Sequence, residues 1–126
     1  MFKRVSININ MLCVKESKKS TESILRLNIC GKGESVMGFL IAINNDDETY
    51  INDLYVNFDI RGKGYAILML KKLSEYKYCK NTITLNDHSS NYRQPHNIYS
   101  KIGFKYTSPL ERPMKINLST FKSFFD

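Results

Sequence analysis

The sequence predicts an α+β domain built on a mainly antiparallel, twisted sheet with two principal helices. Three observations predict it. Short runs of alternating apolar and polar residues recur along the first 56 positions, the period of half-buried strands. Glycine, asparagine and aspartate punctuate those runs, as turns require. One clear helical period follows residue 64, and a shorter one precedes Gly103. The order read from them is β-β-β-β-α-β-α-β-β. No repeat, linker or low-complexity segment divides residues 1–126, so one domain is expected.

Bulk properties narrow the classes. A chain of 126 residues can bury a real core. Its 42% hydrophobic and 25% charged residues are ordinary for a globular protein. No apolar run approaches the length of a membrane span, and "MFKRVSININ" lacks the apolar stretch of a signal peptide. Cys13, Cys30 and Cys79 are scattered without CxxC spacing. They read as buried thiols in a reducing, cytoplasmic setting. The net charge of +7 favours an anionic partner, whether nucleic acid, a membrane surface or a phosphorylated cofactor, or serves solubility alone.

Taken in order, Val5, Ile7, Ile9, Met11 and Cys13 share one face of a first strand over 4 to 14. "ESKKSTES" reads as a polar connection. Leu25, Leu27 and Ile29 mark a second strand and "VMGFLIAI" a third. Between them "CGKGE", at 30 to 34, reads as a hairpin turn in which glycine supplies positive φ. "NNDDE" is a further turn, and "TYINDLYV" a fourth strand. Ala66, Met69, Leu70 and Leu73 fall at i, i+3, i+4 and i+7, which predicts an amphipathic helix over about 64 to 77. "NTITLND" is a fifth strand and "HSSNYRQ" a polar loop. Pro95 is placed in the first turn of a short helix through Ile102, capped by Gly103. "FKYTS" and "PMKINL" close the sheet, and "STFKSFFD" forms a last helical turn.

The tripeptide GKG occurs twice, and the second copy differs in setting. In "DIRGKGYAILML", at 59 to 70, it lies between a strand and a helix. A helix N-terminus offers unpaired amides and positive partial charge. Glycines there let a phosphate approach the backbone, and Arg61 and Lys63 add charge. A Walker loop is excluded, because Tyr65 and Ala66 follow Gly64. A dinucleotide fingerprint is excluded, because Ile67 stands where its third glycine belongs.

Arg61-Gly62-Lys63-Gly64-Tyr65-Ala66 resembles the R/Q-x-x-G-x-G/A signature of the GNAT family of N-acetyltransferases. "INDLYVNFDIRGKGYAILMLKKL" is similar to that family's long central motif, and "IYSKIGFKY", at 98 to 106, to its later Y-x-x-x-GF motif. The resemblance covers residues 36 to 118. It implies a GNAT-like fold and acetyl-coenzyme A as acetyl donor, with no metal. The pyrophosphate would lie on Arg61, Gly62, Lys63, Gly64, Tyr65 and Ala66. The pantetheine arm would run beside Leu54, Tyr55 and Val56, where the fourth strand bulges and splays from the fifth. A backbone amide near Val56 would polarise the thioester carbonyl. Tyr99 stands at the family's tyrosine position and would protonate the leaving thiolate.

Two departures mark this chain. Asn52 stands where similar polyamine-acetylating members carry a glutamate, which leaves Asp53 as the candidate for binding or deprotonating a cationic amine. About ten residues also fill the interval between the first two strands, where the family fits two helices. The acceptor site is therefore expected to be open, or closed by a homodimer or a large acceptor.

The function so implied is direct acetyl transfer from acetyl-coenzyme A to a primary amine, on a small molecule or a peptide. One alternative is a degenerate relative that binds coenzyme A with little catalysis. Another is a basic nucleic-acid-binding module, in which Tyr76, Tyr78 and Tyr92 beside Lys77, Lys80 and Arg93 stack on bases; these aromatics read more simply as sheet-edge packing. His88 and His96, with Cys79 or Asp87, form no metal-site spacing.

Overall fold

The structure, a computed structural model, describes residues 13–18, 24–31, 33 and 35–126. Its strands are β1 (Cys13–Lys18), β2 (Ile24–Cys30), β3 (Val36–Asn44), β4 (Glu48–Val56), β5 (Thr82–Asn86), β6 (Lys105–Tyr106) and β7 (Pro113–Asn117). Among the described residues three α-helices accompany them: α1 (Tyr65–Glu75), α2 (Ile98–Ile102) and α3 (Leu118–Phe124). The strands form one open sheet in the order β1-β2-β3-β4-β5-β7-β6. Every pair is antiparallel except β4 with β5. That exception follows from connectivity, since α1 is the crossover that returns the chain in the same direction.

Burial follows the alternation. Leu25, Leu27 and Ile29 of β2, Leu40 and Ala42 of β3, and Ile83 and Leu85 of β5 are buried on one face. Met69, Leu70 and Leu73 of α1 are fully buried against them, as is Phe121 of α3. Each such side chain contributes about 1.5–3 kcal/mol of transfer free energy. Phe121 stacks edge-on between Phe104 and Phe125 and ties the C-terminal helix to the sheet.

The structure departs from the sequence reading at three places. The proposed first strand, 4 to 14, lies almost wholly outside the described residues. Within them, Lys15 to Lys18, read as part of a polar connection, belong to β1 and pair with β2 from Lys15–Asn28 to Lys18–Leu25. An edge strand tolerates charge, which is why its residues carry no apolar alternation. Only residues 19 to 23 then separate β1 from β2, fewer than the ten expected. The short helix also begins later. Pro95 lies outside it, and Asn97 is its N-cap, the side chain accepting from Ser100 N.

Candidate active site

β4 parts from β5 at a defined point. Their parallel pairing ends at Ile51–Leu85. The next residue, Asn52, has no partner on β3, because Ala42 pairs with Ile51 while Ile41 pairs with Asp53. This is a bulge, which bends its strand and adds twist. It lies two residues before the Leu54–Val56 stretch where the sequence reading placed it. Asn52 and Asp53 are both exposed, whereas Leu54 and Val56 turn back against the core.

Past the bulge lies a groove of about 350 Å³. Leu54, Tyr55 and Val56 form one wall; Arg61, Gly62, Gly64, Tyr65 and Ala66 form the other, with Ile98 of α2 at one side. Lys63 is exposed and does not line it. Gly62 and Gly64 hold φ of +77° and +88°, the left-handed region that side chains disfavour. A Cβ on either would meet nothing within 4 Å, so the constraint is conformational and the space before both is open. Gly64 is the N-cap of α1, with no side chain closing the first-turn amides. Arg61 is partly engaged: its Nε donates to Val56 O at 2.7 Å, and its guanidinium lies over Tyr55 and Phe58. The start of α1, open space and one cation converge at this end of the groove, a setting suited to a pyrophosphate. The apolar wall along β4 suits an extended, uncharged chain.

A second cavity, of about 220 Å³, opens on the other side of Leu54, which lines both. Asn52, Asp53, Asn86, His88 and Tyr99 surround it. The two cavities therefore share one residue of β4, and α2 serves both, with Ile98 facing one and Tyr99 the other. Asp53 Oδ2 accepts from Asn52 Nδ2 at 2.8 Å. Burial, and secondarily the charge of Asp87, push the Tyr99 phenol up to about 12, so it is protonated at neutral pH.

Two residues here were not assigned a catalytic or binding role from the sequence. His88 was set aside as lacking metal spacing, yet it faces the cavity that holds Tyr99 and Asp53. Asp87 is fully buried, and its carboxylate accepts only from the uncharged groups of Ser89, Asn97 and Tyr106 among the described hydrogen bonds. Neither has a sequence signal, because both follow from where β5 ends. The aromatic and basic residues considered for nucleic acid largely stack on one another. Arg93 and Arg112 lie over Tyr92 at 5.3 and 4.3 Å, and Lys77 lies over Tyr78 at 5.1 Å.

The family description "Acetyltransferase (GNAT) domain" matches residues 24–106. This chain belongs to the GNAT family. Solved GNAT-like structures share its fold at low identity. A putative acyl-CoA N-acyltransferase from Klebsiella pneumoniae is 12% identical with a TM-score of 0.65, covering 86% of this chain and 98% of that one. The spermidine/spermine N-acetyltransferase SpeG from Vibrio cholerae, solved with manganese ions, is 12% identical with a TM-score of 0.67, over 93% and 98%. AtaTR bound with acetyl-CoA is 11% identical with a TM-score of 0.65, over 83% and 74%. No curated protein matches this GNAT chain by sequence. Among the described residues, no helix is long and apolar enough to cross a membrane.

Proposed function

We propose that this GNAT protein is an N-acetyltransferase that moves the acetyl group of acetyl-coenzyme A directly to a primary amine. One observation carries the reading: the phosphate-ready groove and the polar cavity meet at Leu54, under α2. A donor in one and an acceptor in the other would come together there, and proximity supplies much of the rate.

Acetyl-coenzyme A supplies an activated thioester. The amides at the start of α1, with Arg61 and Lys63, hold its phosphates, and Leu54, Tyr55 and Val56 flank its arm. Asp53 attracts the cationic amine. Asp53 and His88 are the cavity groups able to accept its proton. An amide near Val56 meets the charge that develops on the carbonyl oxygen. Tyr99 faces the departing sulfur. Full proton transfer from a phenol near 12 to a thiolate whose acid lies near 8.5 is uphill. Tyr99 therefore acts first as a hydrogen-bond donor that steadies the sulfur.

The acceptor side is expected to be open, because residues 19 to 23 are too few for two helices. A small amine then needs a second subunit over the cavity, while a protein N-terminus or lysine tail covers it unaided. Thioester consumption across polyamines, amino acids, aminoglycosides and peptides, with light scattering at assay concentration, tests the proposal. Turnover of a primary amine is expected. Coenzyme A binding without turnover of any acceptor supports the degenerate alternative, and absence of binding at millimolar cofactor sinks both.

A further inference from the structure

The residues around Asp87 form the most elaborate polar cluster in the described molecule. Asp87 follows the last residue of β5, at the end where β5 parts from β4, and its side chain is fully buried. Its Oδ1 accepts from Ser89 N at 3.0 Å and Ser89 Oγ at 2.5 Å. Its Oδ2 accepts from Asn97 Nδ2 at 2.8 Å and Tyr106 OH at 2.7 Å. The main chain is fixed as well: Asp87 N donates to Arg112 O, and Arg112 donates back to Asp87 O. Burying a carboxylate is costly unless donors compensate, and four do so here. Burial alone would raise its pKa; the bonds from Ser89, Tyr106 and Asn97 outweigh that, and the carboxyl sits below its usual value.

Such a group is more than the core requires, and its connections lead to the active site. Asn97 is also fully buried. Its amide nitrogen reaches Asp87 and Asn91 O, while its Oδ1 caps α2 by accepting from Ser100 N at 3.0 Å. Two residues later in that helix stands Tyr99. On the other side, the turn closed by Asp87 and Ser89 holds His88 at the same cavity. A helix of five residues cannot orient itself by its own hydrogen bonds.

We propose that Asp87 is a positioning residue for the transfer reaction: through Asn97 its buried carboxylate fixes the turn of α2 that presents Tyr99 to the cavity. Asp87 touches neither substrate; it acts through Asn97. The inference rests on the acetyltransferase reading for its kinetic consequence only. The titratable and charged groups around Tyr99 are Asp87 after β5, Asp53 on β4, His88 in the loop, and Tyr106 on β6 with Arg93 above its ring at 4.0 Å.

Asn97→Ser separates position from folding, because serine also caps a helix but cannot reach Asp87 as the amide does. In this variant kcat should fall about 10²-fold, the order expected of a misplacement near 1 Å, with the acetyl-coenzyme A KM within about 2-fold. Asp87→Asn should lower kcat similarly. It should also lower the ionisation midpoint of Tyr99, followed by the ring carbon signal of labelled tyrosine and identified by its loss in Tyr99→Phe. In Asn97→Ser the charge remains, so the midpoint stays high while the shift of the ring signal at neutral pH changes. Wild-type kcat in Asn97→Ser overturns the proposal. So does a fall in kcat matched by an equal rise in KM, the mark of a loosened fold. If the wild-type protein turns over no amine, the enzymatic reading fails and the ring signal decides alone: displaced in both variants, the positioning role stands; unmoved in both, it falls.

Discussion

The two GKG tripeptides share three residues and differ in almost everything the structure does with them. In the first, Gly33 alone of the pair holds a positive φ, +80°, and Gly31 N donates across the turn to Ser35 O at 2.8 Å. That backbone donor is used within the hairpin. In the second, Gly62 and Gly64 are both left-handed, and a helix begins at once. Its first-turn amides have no partner within the helix. What a glycine-rich loop can bind is thus decided by the element that follows. A strand consumes the amides; a helix leaves them pointing outward.

Five substitutions bear on this comparison, the largest expected effect first and Gly33→Val as its control. Gly64→Val should reduce coenzyme A binding below detection by calorimetry, because it adds left-handed strain of about 1–2 kcal/mol and fills the space before the helix. Gly33→Val should leave affinity within about 2-fold; equal losses in both would break the contrast between the loops. Tyr99→Phe should lower kcat by about 10²–10³-fold, the scale of one lost hydrogen-bond donor, with little change in cofactor affinity, which single-turnover kinetics would resolve. Full activity while chemistry limits the rate would make Tyr99 a packing residue. Gly33→Ala should cost about 1–2 kcal/mol of stability in urea unfolding, all of it left-handed strain, and nothing in binding. Lys63→Ala is the mildest: an exposed charge beside a phosphate should alter affinity by about 2–5-fold and lose its effect as salt rises. A larger effect that persists at high salt would mean that Lys63 moves into the groove when cofactor binds.

Much of the sheet was legible because one buried face imposes alternation. Leu25, Leu27 and Ile29 announce β2, and the helical period of Met69, Leu70 and Leu73 announces α1. The groove before α1 was legible because glycines between a strand and a helix leave open space there. Three features were not. Lys15 to Lys18 belong to a strand at the edge of the described sheet and show no apolar alternation in sequence. The bulge itself was expected, but its position at Asn52 is a property of register against β3, which one strand's sequence does not contain. The Asp87–Asn97 bond joins residues ten apart through a turn. Its donor and acceptor are residue types that are solvated in most loops, so only the fold reveals that they are buried. His88 entered the cavity for the same reason.

The bulge has a consequence best stated as genetics. Along β4, Thr49 and Ile51 face inward, Asn52 and Asp53 both face outward, and Leu54 and Val56 face inward again. Remove Asn52 and the remaining residues alternate without interruption, each keeping its side of the sheet. Such a strand would pair with β3 in unbroken register and could continue along β5 beyond Leu85, sealing the gap between them. A protein with this architecture and no opening for a donor is therefore a single codon away. The deletion would cost no core residue and no turn, so selection on folding alone would not resist it.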